Sequence, residues 1–161
     1  MDYIYSDGGR AEAGFKRKAG DCVARSIAIV AGLPYLQVYD RLALGNATQR
    51  ASKRTPKRGR SASGGINVRR KWFRDYMVEL GFSWVPTMAI GAGCTVHLAE
   101  GELPNGRLVV SLSKHYCAVI DGVIYDTCDP RRDDSWLIEP GGKITKIGGR
   151  CVYGYWRFDH G

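Results

Sequence analysis

Three residues in this chain have the types and the neighbours that acyl-transfer chemistry requires. Cys22 follows Gly20-Asp21 and precedes an apolar run, Val23-Ala24-Arg25-Ser26-Ile27-Ala28-Ile29-Val30-Ala31, which Gly32 closes. Asp is a favoured helix N-cap and Gly a favoured residue just past a helix end, so the spacing predicts a helix with Cys22 in its first turn. Unpaired N–H groups and the helix dipole lower a thiol pKa there, as a nucleophile needs. His115 opens a second apolar run, residues 115–120, which Asp121-Gly122 separates from a third, residues 123–127. Asp-Gly between such runs predicts a type I′ hairpin. Its register sets Ala118 opposite Tyr125 and Cys117 opposite Asp126, which places Asp126 diagonally beside His115 on one face. By the same count Asp129 opposes Lys114 and points the other way unless a bulge intervenes. A thiolate that attacks a carbonyl, an imidazole that carries the proton and a carboxylate that fixes its tautomer make one catalytic unit. Cys22 and His115 lie 93 residues apart, so only the fold can join them.

The hydrophobic pattern indicates which elements do the joining. The cysteine helix is small and apolar after Arg25, so it should be central and buried. A second helix is expected from Leu33-Pro34-Tyr35 to a stop at Gly45. Asn46 to Asn67 has no apolar period and is dense in Pro, Gly, Ser and Arg, which reads as a mobile basic loop over about 46–66. A third helix is expected from Val68 to Leu80, capped by Asn67 and stopped by Gly81. Val68, Trp72, Tyr76 and Leu80 form its apolar stripe, with Phe73 and Met77 alongside. Strands are expected at Tyr3–Tyr5, Phe82–Pro86, Arg107–Ser113, the His115–Thr127 hairpin and Cys151–Phe158, with polar loops at Asp129–Asp134 and Pro140–Lys143. Helices first and antiparallel strands after them give an α+β fold in one domain, residues 1–161, with the helices packed on a C-terminal antiparallel sheet.

Composition narrows the classes further. At 161 residues and 44% apolar, the chain suits one domain with a proper core. No apolar run approaches the roughly 20 residues that span a bilayer, and the N-terminus lacks a signal-peptide pattern, so a cytoplasmic location and no membrane partner are expected. The five cysteines are then expected as free thiols, catalytic groups or ligands, not as bridges. Cys94-Thr95-Val96-His97 has a ligand-like gap, but Cys117, Cys128 and Cys151 supply no second short pair, so neither metal nor cofactor is expected. The net charge of +8 is local: from Arg41 to Arg74 there are 11 Lys and Arg and no acid, while the remainder holds 13 basic and 16 acidic residues. Arg50, Lys53, Arg54, Lys57, Arg58 and Arg60, with the helix face Arg69, Arg70, Lys71 and Arg74, are candidates for binding a polyanion, either nucleic-acid phosphates or an acidic protein. A basic binding module without chemistry on the same scaffold is therefore the alternative to an enzyme.

Gly20-Asp21-Cys22 at a helix start, and His115-Tyr116 opening a hairpin that ends in Asp126-Thr127, resemble papain-like cysteine proteases. The compact bacteriocin-processing peptidase domains and the ovarian-tumour-type deubiquitinases are nearest in style. More of the chain is similar to a family of proteins encoded in tailed phages and prophages, through Ala19-Gly20-Asp21-Cys22, Gly93-Cys94-Thr95-Val96-His97-Leu98, Glu102-Leu103-Pro104, the His115 hairpin and Tyr153-Gly154-Tyr155-Trp156. The resemblance implies a papain-like fold and a Cys22–His115–Asp126 triad that cleaves an amide, isopeptide or thioester bond of a protein or peptide. It also implies a host-cytoplasmic location if the chain is phage-encoded. Where papain-like enzymes carry a glutamine ahead of the cysteine, this chain has Lys16, an oxyanion candidate beside the backbone N–H groups at Cys22 and the preceding loop. Bacteriocin-type domains use the Asp of an Asp-Pro pair, which makes Asp129, before Pro130, the alternative third member.

Overall fold

A computed structural model describes the chain except residues 18, 54–58, 133–134, 139, 148, 160 and 161, and except the side chains of 135–137 and 144–147. In chain order the elements are β1 (Asp2–Tyr5), α1 (Cys22–Ala31), α2 (Tyr35–Thr48), α3 (Lys71–Glu79), β2 (Phe82–Pro86), β3 (Arg107–Leu112), β4 (His115–Ile120), β5 (Val123–Asp126), β6 (Ser135–Ile138), β7 (Ile144–Ile147) and β8 (Val152–Phe158). Six strands form one sheet in the order β1-β5-β4-β3-β8-β2, and β6 pairs with β7 separately. The fold is α+β. The sheet is mixed and not wholly antiparallel, because β1 enters beside β5 in parallel, Asp2 to Val123 through Tyr5 to Asp126. The β6–β7 hairpin has no counterpart in the sequence reading, where the polar segments before β6 and between β6 and β7 dominate.

The central strands read as continuous apolar runs because both of their faces are buried. Val109, Tyr116, Ala118 and Trp156 join the helices in one core. Leu108, Val110, Leu112, Cys117, Val119 and Ile124 join Leu98 and Val152 in another. Helix α1 lies against β4 with Ile27 and Val30 fully buried, and ends at Gly32 in the left-handed conformation (φ 66°). The Asp121-Gly122 turn has positive φ at both residues, 48° and 78°, as type I′ requires, and sets Ala118 opposite Tyr125.

Two helix bounds differ from the sequence reading, each for a local reason. Helix α2 runs through Gly45 to Thr48, because Gly45 is a packing residue and not a stop. A Cβ there would lie 2.3 Å from Cζ3 of Trp72, so its absence lets α2 meet α3. The expected loop over 46–66 therefore begins later, and part of it is held. Asn46, itself buried, donates to the carbonyls of Ser61 (2.8 Å) and Gly65 (3.1 Å), and the Tyr39 hydroxyl meets Ser63 Oγ at 3.0 Å. Helix α3 begins only at Lys71, because Asn67 builds a turn first: its Oδ1 accepts from the Arg69 N–H and its carbonyl from that of Arg70. Gly45→Ala should cost about 1–3 kcal/mol in chemical denaturation. A loss within a few tenths would show that α2 and α3 can part freely.

The cysteines also depart from expectation. Cys94 and Cys151 form a disulfide, with Cα atoms 5.9 Å apart, while Cys22, Cys117 and Cys128 are free. Residues 94–97 are not a ligand loop but a segment laid beside β8, with His97 bridged to Cys151 and the Val152 N–H donating to the Val96 carbonyl. Among the described residues no helix is long and apolar enough to cross a membrane.

Candidate active site

Cys22 is the first residue of α1, and the first intrahelical bond runs from the Arg25 N–H to the Asp21 carbonyl. The N–H groups of Cys22, Val23 and Ala24 thus have no partner within the helix. Asp21 does not cap them with its side chain. Its carboxylate turns inward, where Oδ1 accepts from Arg25 Nη1 and Oδ2 accepts from the Tyr35 hydroxyl (2.5 Å) and lies 2.9 Å from Arg10 Nε. At 1% exposed, this carboxylate must be met by such partners, which is why it goes to them and not to the helix end.

Leu112 pairs with His115 across a two-residue turn, Ser113-Lys114, with Lys114 at φ 55°. Arg150 Nη2 donates to the Ser113 carbonyl at 2.6 Å and steadies that turn. His115 emerges from it at the head of β4, and Asp126 ends the neighbouring β5. His115 Nε2 and Asp126 Oδ2 are 2.5 Å apart. The other carboxylate oxygen accepts from the Thr127 N–H at 2.7 Å and lies 3.6 Å from Arg25 Nη2. Arg25 thus stands between two buried carboxylates, Asp21 and Asp126.

With Nε2 committed to Asp126, Nδ1 is the imidazole nitrogen left for the thiol. Burial pushes the Cys22 thiol up, but the hydrogen bond to His115, the Tyr116 backbone N–H and the positive charges of His115 and Arg25 outweigh it, leaving Cys22 below its ordinary 9.0. Burial likewise depresses His115, but its hydrogen bonds to Asp126 and Cys22, and the charge on each, raise it to about 9. The two shifts have opposite signs, as a mutual hydrogen bond and opposite charges in a thiol and an imidazole produce. Cys117 is the contrast: burial drives its thiol far up.

The pair opens into a cavity of about 480 Å³. Its walls are the Ala19-Gly20 lead-in, the Gly64–Ile66 segment and the β3–β4 turn. The Gly64–Ile66 wall stands close: a Cβ on Gly20 would lie 3.4 Å from the Ser63 carbonyl oxygen.

The structure brings Cys22, His115 and Asp126 together and leaves other candidates apart. Asp129 is exposed and clasped by Arg131, whose Nη2 lies 2.6 Å from Oδ2. That guanidinium holds the Asp129 carboxyl below its usual range. Lys16 is exposed and does not line the cavity. Cys128 is exposed, and His97 pairs with Glu102, its Nδ1 3.1 Å from Oε2. Among the described residues no three His, Cys, Asp or Glu side chains cluster as metal ligands would. The polyanion candidates divide. Arg54, Lys57 and Arg58 lie outside the described residues; Arg50, Lys53 and Arg60 are exposed; Lys71 pairs with Asp75 at 2.6 Å; Arg70 is half-buried; and Arg69 and Arg74 line a second cavity.

Sequence reasoning missed Arg10, Arg25 and Tyr35 as supports. One signal was present: a lone arginine at i+4 from Asp21, inside an otherwise apolar buried helix, must find a carboxylate. Arg10 and Tyr35 gave no such signal, since the segment packed over α1 at Gly8 brings in the first and the start of α2 brings in the second. No protein-family model, curated protein or solved structure matches the chain.

Proposed function

We propose that this chain is a papain-like cysteine hydrolase that cleaves an amide, isopeptide or thioester bond of a protein or peptide. The observation that supports this best is the Cys22–His115–Asp126 contact chain, with its 2.5 Å histidine–carboxylate bond and its lowered thiol.

In this reading the Cys22 thiolate sulfur attacks the substrate carbonyl carbon, and the carbonyl π electrons move to oxygen. The backbone N–H groups of Cys22 and Val23 are unpaired within the helix, and both residues line the cavity, so they are the donors for that oxyanion in place of Lys16. As the tetrahedral intermediate collapses, His115 gives its proton to the leaving amine or thiolate, and an acyl-thioester on Cys22 remains. The imidazole, now neutral, takes a proton from water as the water oxygen attacks the acyl carbon. The Cys22 thiolate then leaves, and the imidazolium is restored beside it. Asp126 accepts from Nε2–H and keeps Nδ1 turned to the sulfur.

Intact-mass analysis after mixing with an activated acyl thioester tests the reading. One acyl group should appear on Cys22 and then disappear by hydrolysis. A protein that acquires no adduct, or acquires it equally when Cys22 is alanine, would refute the assignment.

A further inference from the structure

A second cavity, of about 680 Å³, adjoins the first and shares Val68, Ser111, Leu112, Lys114 and Tyr116 with it. The two make one trench that leaves the Cys22 centre across the β3–β4 turn. Its far part lies between the start of α3 and the β2–β8 side of the sheet. Every charged residue lining that part is a cation: Arg69, Arg74 and Lys114. All three are exposed, and among the described residues none has a carboxylate partner. Arg74 lies over Trp156, its guanidinium carbon 5.8 Å from the ring centroid, which holds the charge at the trench wall. Between the cations lies apolar and aromatic surface that the fold leaves open: Met88 is 41% exposed and Tyr153 39%. Gly154 is needed for this wall, because a Cβ there would sit 2.4 Å from Cζ2 of Trp84.

Resting on the hydrolase reading above, we propose that the trench selects an acidic polypeptide segment, whose Asp or Glu side chains meet Arg69, Arg74 and Lys114 and whose aromatic or apolar residue lies on Trp84 and Tyr153. Charge complementarity identifies the occupant. Three cations with no carboxylate partner among the described residues repel a basic peptide and give a neutral one hydrogen bonds without charge pairing. The same trench leads to a nucleophile whose chemistry needs an acyl carbon, which a peptide provides and a nucleic acid does not. Arg50, Lys53 and Arg60, which a long polyanion would use, do not line it.

The test uses the full chain and two measurements. Binding of fluorescein-labelled decapeptides to Cys22→Ala is read by anisotropy for an acidic aromatic peptide and for its Gln/Asn and Lys counterparts. Alkylation of the wild type is read with the same peptides carrying a chloroacetamide, from which the Cys22 sulfur displaces chloride as the C–S bond forms. The acidic peptide should bind about tenfold tighter than the neutral one and label faster in proportion. In Arg69→Glu/Arg74→Glu, and less steeply in the milder Arg69→Gln/Arg74→Gln, the acidic-to-neutral ratio should collapse towards one with thermal melting retained. Equal binding of all three peptides, or tighter binding of a single-stranded oligonucleotide, would overturn the assignment of the trench. A Cys22 that resists iodoacetamide would overturn the hydrolase reading alone, because the Cys22→Ala binding measurement decides the trench without it.

Discussion

Cys22→Ala should abolish turnover of an activated thioester or ester, a loss on the order of 10⁴-fold or more, since the residual rate then comes only from binding and oxyanion donors. His115→Ala should lose nearly as much. The double variant should lose little beyond either single one, because the two groups act as one unit. The pH profile carries the same information in its two limbs. In the proposed mechanism activity requires Cys22 ionised and His115 protonated. The rate should therefore rise as Cys22 loses its proton, at a pH below the ordinary 9.0 of a thiol, and fall as His115 loses its own at about 9. Asp126→Asn removes a cause that raises His115, so the falling limb should move to lower pH while the protein stays folded. If the Asp126→Asn profile kept the wild-type falling limb, Asp126 would not be the residue that holds the imidazole.

Asp21→Ala should be the most destabilising single change near the site, though Asp21 touches no reacting atom. Its carboxylate is the common acceptor for Arg10, Arg25 and the Tyr35 hydroxyl. Removing it strands the positive charge of Arg25, buried at 8% exposed, and takes the partner from Tyr35, whose phenol burial and Asp21 both push well above its ordinary value. Breaking a buried ion pair from one side costs roughly 3–5 kcal/mol, a large share of the 5–15 kcal/mol that holds a typical domain together. Urea denaturation followed by tryptophan fluorescence reads this directly. Asp21→Asn, which still accepts hydrogen bonds but carries no charge, should fall between the wild type and alanine. A cost under about 1 kcal/mol for Asp21→Ala would mean that Arg25 is satisfied by Asp126 alone. Because Arg25 reaches both carboxylates, it is a positioning residue that links the packing of α1 to the orientation of Asp126.

The hairpin was the most legible part of the chain, because Asp121-Gly122 permits little besides a type I′ turn, and the turn fixes the register. That register placed Asp126 beside His115, as the 2.5 Å contact shows. Helix α1 was nearly as clear, from a small apolar run with glycine after it. Misreadings arose where one residue type answers two physical needs. Gly45 fits a helix stop as well as a close helix crossing, and only the position of Trp72 decides between them. Asp21 fits an N-cap as well as a buried ion pair, and Arg10 is too remote in sequence to announce the pairing. Cys94 and Cys151 are 57 residues apart and read as separate thiols until β8 brings Val152 against Val96. The parallel entry of β1 beside β5 likewise has no local signature in three aromatic and aliphatic residues.

The thiolate–imidazolium pair is the centre of the account, and the rate of iodoacetamide alkylation of Cys22 against pH tests it most directly. In the wild type the rate should rise with a midpoint below 9.0 and level off above it. In His115→Ala burial acts on the thiol without its main opponent, so the midpoint should move up from the wild-type value. A wild-type midpoint at or above 9.0, unchanged in His115→Ala, would contradict the pair and the catalytic role given to Cys22.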